Sequence, residues 1–261
     1  MRDIRQHVAI ITGSSSGVGA ATARLLASLG CHVAINYSAS AEAAEQVARD
    51  CEKAGVETLV CQANVAEDKD CRALVDAVSK RWGRVDILVN NAGTTKFCDH
   101  SDLEGLSAAD FQRIYGVNVI GAFQMVRAVA PLMQERGGAV VNVASTAAIT
   151  GIGSSIAYAA SKGAMVTMTL SLARALGPAI RVNAVCPGFI QGEWLRRGFG
   201  EEKYLAFMKR MEEGAPLKVT ATAETVADAI LQFITGCQIV TGETLIVDGG
   251  HHLNQMPLAR R

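Results

Sequence analysis

The chain has no excess of either charge: 25 basic and 25 acidic side chains leave 261 residues with a formal net charge of zero. That excludes partners recognised by bulk charge, so neither nucleic acid nor an anionic membrane surface is expected. The start Met1-Arg2-Asp3-Ile4-Arg5-Gln6 is charged and leads directly into a strand, without the apolar segment of a secretion signal. No uninterrupted apolar run reaches membrane-spanning length, although 49% of the residues are hydrophobic. A soluble, cytoplasmic protein is the expectation. The seven cysteines, at 31, 51, 61, 71, 98, 186 and 237, contain no C-x-x-C pair. An odd count without a secretion signal reads as reduced thiols, most of them small buried apolar residues. His251 and His252 are adjacent rather than one helical turn apart and have no third ligand in view, so no metal site is expected. Internal repeats and low-complexity stretches are absent, and the length suits one α/β domain over residues 1–261.

What is present is a strand–helix beat. The apolar run from His7 to Ile11 meets Thr12-Gly13-Ser14-Ser15-Ser16-Gly17-Val18-Gly19, and an alanine-rich amphipathic segment follows to Leu29. Glycines in such a turn let backbone amides approach a pyrophosphate, and the positive end of the helix dipole favours the anion there. Cys31 to Tyr37 reads as a second strand, Ala41 to Ala54 as a helix, Thr58 to Ala63 as a third strand, and Glu67 to Trp82 as a helix stopped by Gly83. Val85 to Val89 is a fourth strand running into Asn90-Asn91-Ala92-Gly93. Leu103 to Arg136 has helical periodicity with possible breaks at Gly116 and Gly121, and it holds Asn118. Ala139 to Ala144 is a buried strand ending at Ser145. Ala157 to Leu176 is a helix, Ile180 to Cys186 a strand opening into Pro187-Gly188, Ala223 to Ile234 a helix, and Glu243 onward a last strand. Between them, Phe189 to Gly214 carries glycines and the exposed-looking rings Trp194, Phe199, Tyr204 and Phe207, with Met208. That pattern suits a lid over a site, with the Thr94–Asp102 loop lining the same pocket. The tail from Asn254 to Arg261 reads as loose.

Tyr158 and Lys162 stand four residues apart, on one face of their helix. A nearby cation favours phenolate and lowers a tyrosine's usual pKa of roughly 10, so the pair reads as a proton handler. Ser145 brings a hydroxyl to a strand's C-terminal tip, where open α/β sheets place ligands. At the end of the second strand an acidic residue would bind a ribose and repel a 2′-phosphate. Tyr37 and Ser38 are neutral instead, which favours NADP over NAD.

In order and spacing, Thr12-Gly13-x-x-x-Gly17-x-Gly19, Asn90-Asn91-Ala92-Gly93, Asn118, Ser145, Tyr158-x-x-x-Lys162, Pro187-Gly188 and Asp248-Gly249-Gly250 resemble the short-chain dehydrogenase/reductase family over nearly the whole chain. Asn36-Tyr37 and Pro187-Gly188-Phe189-Ile190 look most like its β-ketoacyl carrier-protein reductases. The resemblance implies a single Rossmann-type, doubly wound α/β domain: a seven-stranded parallel sheet with helices on both faces. It implies an NAD(P)-dependent oxidoreductase in which Tyr158 exchanges a proton with the substrate oxygen and Ser145 orients that oxygen. Lys162 would hold the nicotinamide ribose and depress the Tyr158 pKa, and Asn118 would position a water. The implied cofactor contacts are Gly13, Ser15, Ser16, Gly17, Val18, Gly19, Tyr37, Ser38, Asn64, Val65, Asn91, Ala92, Gly93, Tyr158, Lys162, Pro187, Gly188 and Ile190, and the implied assembly is a homodimer or homotetramer. Three positions depart from the family pattern. Asn64 replaces an aspartate at adenine, Gly192 replaces a threonine after Pro-Gly, and Ser16 stands where many NADP-dependent members have arginine.

Overall fold

A computed structural model describes residues 3–236 and 238–253. Cys237 and the tail from Asn254 lie outside the described residues. The strands are short and almost wholly apolar because helices cover both of their faces. They are β1 (Val8–Ile11), β2 (His32–Tyr37), β3 (Thr58–Gln62), β4 (Ile87–Asn90), β5 (Gly138–Val143), β6 (Ile180–Pro187) and β7 (Thr244–Val247). All pair in parallel, in the order β3-β2-β1-β4-β5-β6-β7.

Alternate strand residues supply the two cores. Ala9, Ile11, Val33, Ile35 and Val89 pack with Leu26 of α1 (Gly17–Ser28), Val47 of α2 (Ala41–Glu52) and Ile230 of α10 (Ala223–Leu231). Val8, Ile10, Ala34, Leu88 and Val140 face Leu74 of α3 (Asp68–Trp82), Met125 of α5 (Ala122–Gln134) and Leu172 of α7 (Ile156–Leu176). Strand order reverses between β1 and β4, and a doubly wound sheet opens its ligand crevice beyond the C-terminal ends of such neighbours.

The segment expected to break at Gly116 and Gly121 does not. After the capping box of Ser107 and Asp110, α4 (Ala108–Tyr115) runs through a π-helical turn at Gly116–Gly121 into α5. Gly121 is there for closeness: a Cβ on it would sit 2.8 Å from Val65. This continuous helix, Ala108–Gln134, is long and apolar enough to cross a membrane by length and composition, its most apolar 18-residue window having mean hydropathy 1.3, although Asp110, Arg113 and Arg127 interrupt its apolar run. Its apolarity serves packing, since Met125, Val129 and Met133 are fully buried against the sheet. Of the described cysteines, all free, 31, 51, 71 and 186 are buried, and burial pushes the Cys51 and Cys71 thiols up to about 11.

Candidate active site

The glycine turn between β1 and α1 is tied from three sides. Asn36, next to last in β2, accepts from Gly13 N through its Oδ1 (3.0 Å), while its Nδ2 donates to Ala63 O (3.0 Å). Thr12 Oγ1 accepts from the backbone amides of Asn91 and Ala92, both at 3.0 Å, and Asn91 Nδ2 returns bonds to Thr12 O (2.9 Å) and Gly13 O (3.0 Å). Gly13 (φ 62°) and Gly17 (φ 54°) adopt the left-handed backbone that glycine permits. Gly19 allows a close approach, since a Cβ there would lie 2.5 Å from Asn91 Nδ2 and 2.7 Å from Gly13 O. Gly19 and the Asn91 side chain therefore pack closely against the turn, and Ser15, Ser16, Gly17 and Val18 follow it into the start of α1. Ser16 caps α1 without a side-chain bond, which leaves the first helical amides for an anion. Thr12 and Asn36 were not among the expected site residues. Their signal in the sequence is a polar side chain at the end of a buried strand.

At the adenosine end, Tyr37 closes β2 and Gln62 Nε2 donates to Ser38 O (3.0 Å). The Asn64 amide oxygen, expected at adenine, already accepts from Ala66 N (3.2 Å), closing its own turn. Val65 is buried, and its carbonyl accepts from Gln124 Nε2 (2.8 Å). Its side chain therefore packs inward rather than lining a surface.

The candidate catalytic groups converge beyond β5. Ser155 caps α7 by accepting from Tyr158 N (3.2 Å), and Ser145 Oγ accepts from Ala147 N (3.2 Å). Lys162 is buried and donates to Val143 O (2.7 Å), with its Nζ 5.6 Å from the centroid of the Tyr158 ring. Burial pulls the Lys162 ammonium down to about 8. Burial also pushes the Tyr158 phenol up to about 12, against the pull of the Ser145 hydroxyl. The expected depression of Tyr158 is thus reversed in the protein alone, because desolvation of the phenolate outweighs its hydrogen bond with Ser145.

Asn118 is fully buried in the π-helical turn. Its Oδ1 accepts from Thr94 N (2.8 Å), and its Nδ2 donates to Thr94 O (3.1 Å) and Ser161 Oγ (2.9 Å). Ser161 Oγ in turn donates to Tyr158 O (2.7 Å). Both amide N–H groups are engaged, so the side chain fastens the loop after β4 to α7.

The Phe189–Gly214 segment folds as α8 (Glu193–Phe199) and α9 (Glu201–Gly214). It leaves the sheet at Pro187-Gly188, where a Cβ on Gly188 would lie 2.7 Å from Asp248 Cβ, and Ile190 bridges to Ala221. Tyr204, expected to be exposed, is buried: its hydroxyl accepts from Gly192 N (3.2 Å) and its ring lies 4.9 Å beneath the Arg196 guanidinium. Trp194 sits over Tyr158 with ring centroids 5.9 Å apart. His252 Nδ1 pairs with Asp248 at 2.9 Å, and no metal-binding cluster occurs among the described residues.

These residues fit a nicotinamide dinucleotide. A Cβ on Gly93 would lie 3.8 Å from Lys162 Nζ, and one on Gly17 would enter open space, so bare backbone is presented beside Lys162 and at the start of α1. The match with known proteins agrees. Residues 13–252 match the family model described as enoyl-(acyl carrier protein) reductase. A solved structure assigned to the short-chain dehydrogenases/reductases, from Burkholderia xenovorans, is 42% identical with TM-score 0.89, covering 95% of this chain and 99% of its own. The chain belongs to the short-chain dehydrogenase/reductase family. As a member of that family it is an NAD(P)-dependent enzyme acting on CH–OH or C=O groups. Among its relatives, the protein assigned as ketoacyl reductase 2 of the granaticin polyketide synthase of Streptomyces violaceoruber is 40% identical over 94% of this chain and 96% of that protein. The 3-oxoacyl-[acyl-carrier-protein] reductase of a Synechocystis strain is 32% identical over 96% and 98%. A solved NAD+-bound xylitol dehydrogenase is 27% identical with TM-score 0.88, over 95% and 100%.

Proposed function

We propose that the enzyme reduces a ketone of 3-oxoacyl type with NADPH, with Ser145 and Tyr158 acting at the substrate, Lys162 at the nicotinamide ribose and Asn118 positioning the catalytic helix. The observation that carries this reading is the meeting of the Tyr158 phenol with the Ser145 hydroxyl beside the buried Lys162, whose Nζ lies 5.6 Å from the Tyr158 ring centroid. Burial raises the phenol further, which keeps it a proton donor at neutral pH and suits reduction. Ser145 donates a hydrogen bond to the carbonyl oxygen and Tyr158 transfers its phenolic proton to that oxygen as negative charge develops on it. The nicotinamide supplies the hydride. Lys162, with one N–H bond spent on Val143 O, has two left for ribose hydroxyls. Its charge there favours the phenolate that remains after the transfer.

NADPH is favoured by the neutral Tyr37 and Ser38, which do not repel a 2′-phosphate. The same neutrality, with Ser16 in place of a basic residue, supports a second reading as an NAD-dependent alcohol dehydrogenase, and a relative's NAD+ complex favours it. A non-catalytic dinucleotide-binding regulator is a third, disfavoured by the complete Asn118, Ser145, Tyr158, Lys162 set. The test is a fluorescence titration with NADPH and NADH on identical samples, followed by ketone reduction with the tighter binder. Tight NADPH binding with turnover supports the proposal. Preference for NADH moves the assignment to the dehydrogenase, and binding without turnover on ketone or alcohol moves it to the regulator. We further propose a cytoplasmic homodimer or homotetramer pairing through α7 and β7, where Leu170 (48%) and Leu245 (39%) are exposed. Light scattering that gives a monomer mass overturns that pairing.

A further inference from the structure

We propose that Trp194 determines the substrate class: with Phe97 it forms an aromatic clamp over Tyr158 that selects a ketone bearing a flat ring system over a linear acyl chain. The inference deepens the carbonyl-reductase reading above and rests on it. The chain holds seven phenylalanines, four tyrosines and two tryptophans. Seven of these rings form one contiguous run at the mouth of the site. Tyr158 meets Trp194 at 5.9 Å and Trp194 meets Phe97 at 6.0 Å, Phe97 meets Phe199 at 5.2 Å, and the run goes on through Phe207 and Phe189 to Tyr204.

Rings gathered only for stability would be buried, but Trp194 is 49% exposed and α8 carries no buried residue. A large ring left half open beside the proton donor is a surface awaiting a partner. The two walls differ in how they are held. Phe97 lies in a loop fastened to the segment before α7, by Thr95 Oγ1 to Ser154 Oγ (2.7 Å), Cys98 N to Ser154 O (2.9 Å) and His100 Nε2 to Gly153 O (3.1 Å). Trp194 rides on α8, which rests on Phe97 only because residue 198 is glycine: a Cβ there would overlap the Phe97 ring. Gly200, at φ 79°, separates α8 from α9, and α9 is anchored by the buried Tyr204. One wall is fixed by loop hydrogen bonds, and the other rides on a short helix joined to α9 through Gly200 and held to it by Arg196, which lies over the Tyr204 ring and 3.4 Å from Glu201. Aromatic pairs favour offset or tilted contact with centroids about 4.5–7 Å apart, so a flat substrate ring can take the place of the Tyr158–Trp194 contact with a like one. A linear chain offers no such face.

The test compares 2-tetralone with acetoacetyl-CoA as substrates of the wild type, Trp194→Ala and Trp194→Phe, each saturated with its reduced cofactor. Calorimetric binding of 2-tetralol to the protein loaded with oxidised cofactor supplies a readout independent of turnover. The expected result is a fall of roughly ten-fold in kcat/KM for 2-tetralone in Trp194→Ala, carried by KM. Acetoacetyl-CoA should change less than about three-fold, and Trp194→Phe should recover most of the loss. An equal fall for both substrates, or wild-type turnover of acetoacetyl-CoA with no binding of 2-tetralol, overturns the clamp and leaves the reductase reading standing. Binding of 2-tetralol that depends on Trp194, without turnover of either ketone, supports the clamp and overturns the reductase reading.

Discussion

The two walls of the crevice are built on opposite principles. On the cofactor side, Thr12, Asn36 and Asn91 fix the glycine turn through bonds that cross three strand ends, each bond 3.0 Å or shorter. On the lid side, α8 buries no residue, and the described contacts of its rings are with other aromatic side chains. The difference follows from what each side must recognise. A pyrophosphate has one shape and charge and rewards a preorganised ring of amides, whereas a substrate pocket has to open and close.

The sharpest test of the shared centre between these walls is Tyr158→Phe. It should lower kcat by roughly 10²–10⁴-fold while the protein stays folded and still binds cofactor. Survival of turnover would remove Tyr158 from its role. Next in size, Gly19→Ala drives a methyl group into Asn91 and Gly13, and overpacking of this kind costs about 1–3 kcal/mol. Denaturant unfolding should show that loss together with weaker binding of both NADPH and NADH. An unchanged midpoint would mean that the turn yields as readily as the lid.

The buried base gives a pH test of the same contrast. Lys162 falls to about 8 in the folded protein from an ordinary 10.5, so between those values the unfolded chain binds the extra proton. Stability of the cofactor-free protein should therefore rise with pH across that window. Tyr158, raised from 10 to about 12, acts in the opposite direction: above pH 10 the unfolded chain loses the proton first and stability falls. Lys162→Met should flatten the rise between about 8 and 10.5, and an unaltered profile would show that Lys162 is not the group responsible. The smallest effect belongs to the lid. Tyr204→Phe removes the acceptor of Gly192 N and should cost about 0.5–1.5 kcal/mol or less, readable as faster amide exchange across α8 with little change in global unfolding.

Much of this was legible beforehand, for physical reasons. A strand covered on both faces must be apolar throughout, so β1, β4, β5 and β6 announce themselves, and the i, i+4 spacing of Tyr158 and Lys162 survives any packing once their helix forms. Helix continuity was less legible. Gly116 and Gly121 look like breaks, yet the chain passes through them, because Gly121 answers to contact with Val65, more than 50 residues away in sequence. The outward view of Tyr204 failed similarly, since only the fold brings Gly192 and Arg196 to it.

By itself, then, the sequence determined the strand–helix beat, the glycine turn and the spacing that puts Tyr158 and Lys162 on one helix face, all properties of local spacing and residue chemistry. Only the tertiary structure decided that Asn36 and Thr12 hold the turn, that Asn118 spends its amide on Thr94 and Ser161, and that Trp194 covers Tyr158. It also decided the sign of the Tyr158 shift. Spacing places a cation near a phenol, but the energy of a charge depends on how much water the assembled fold leaves around it.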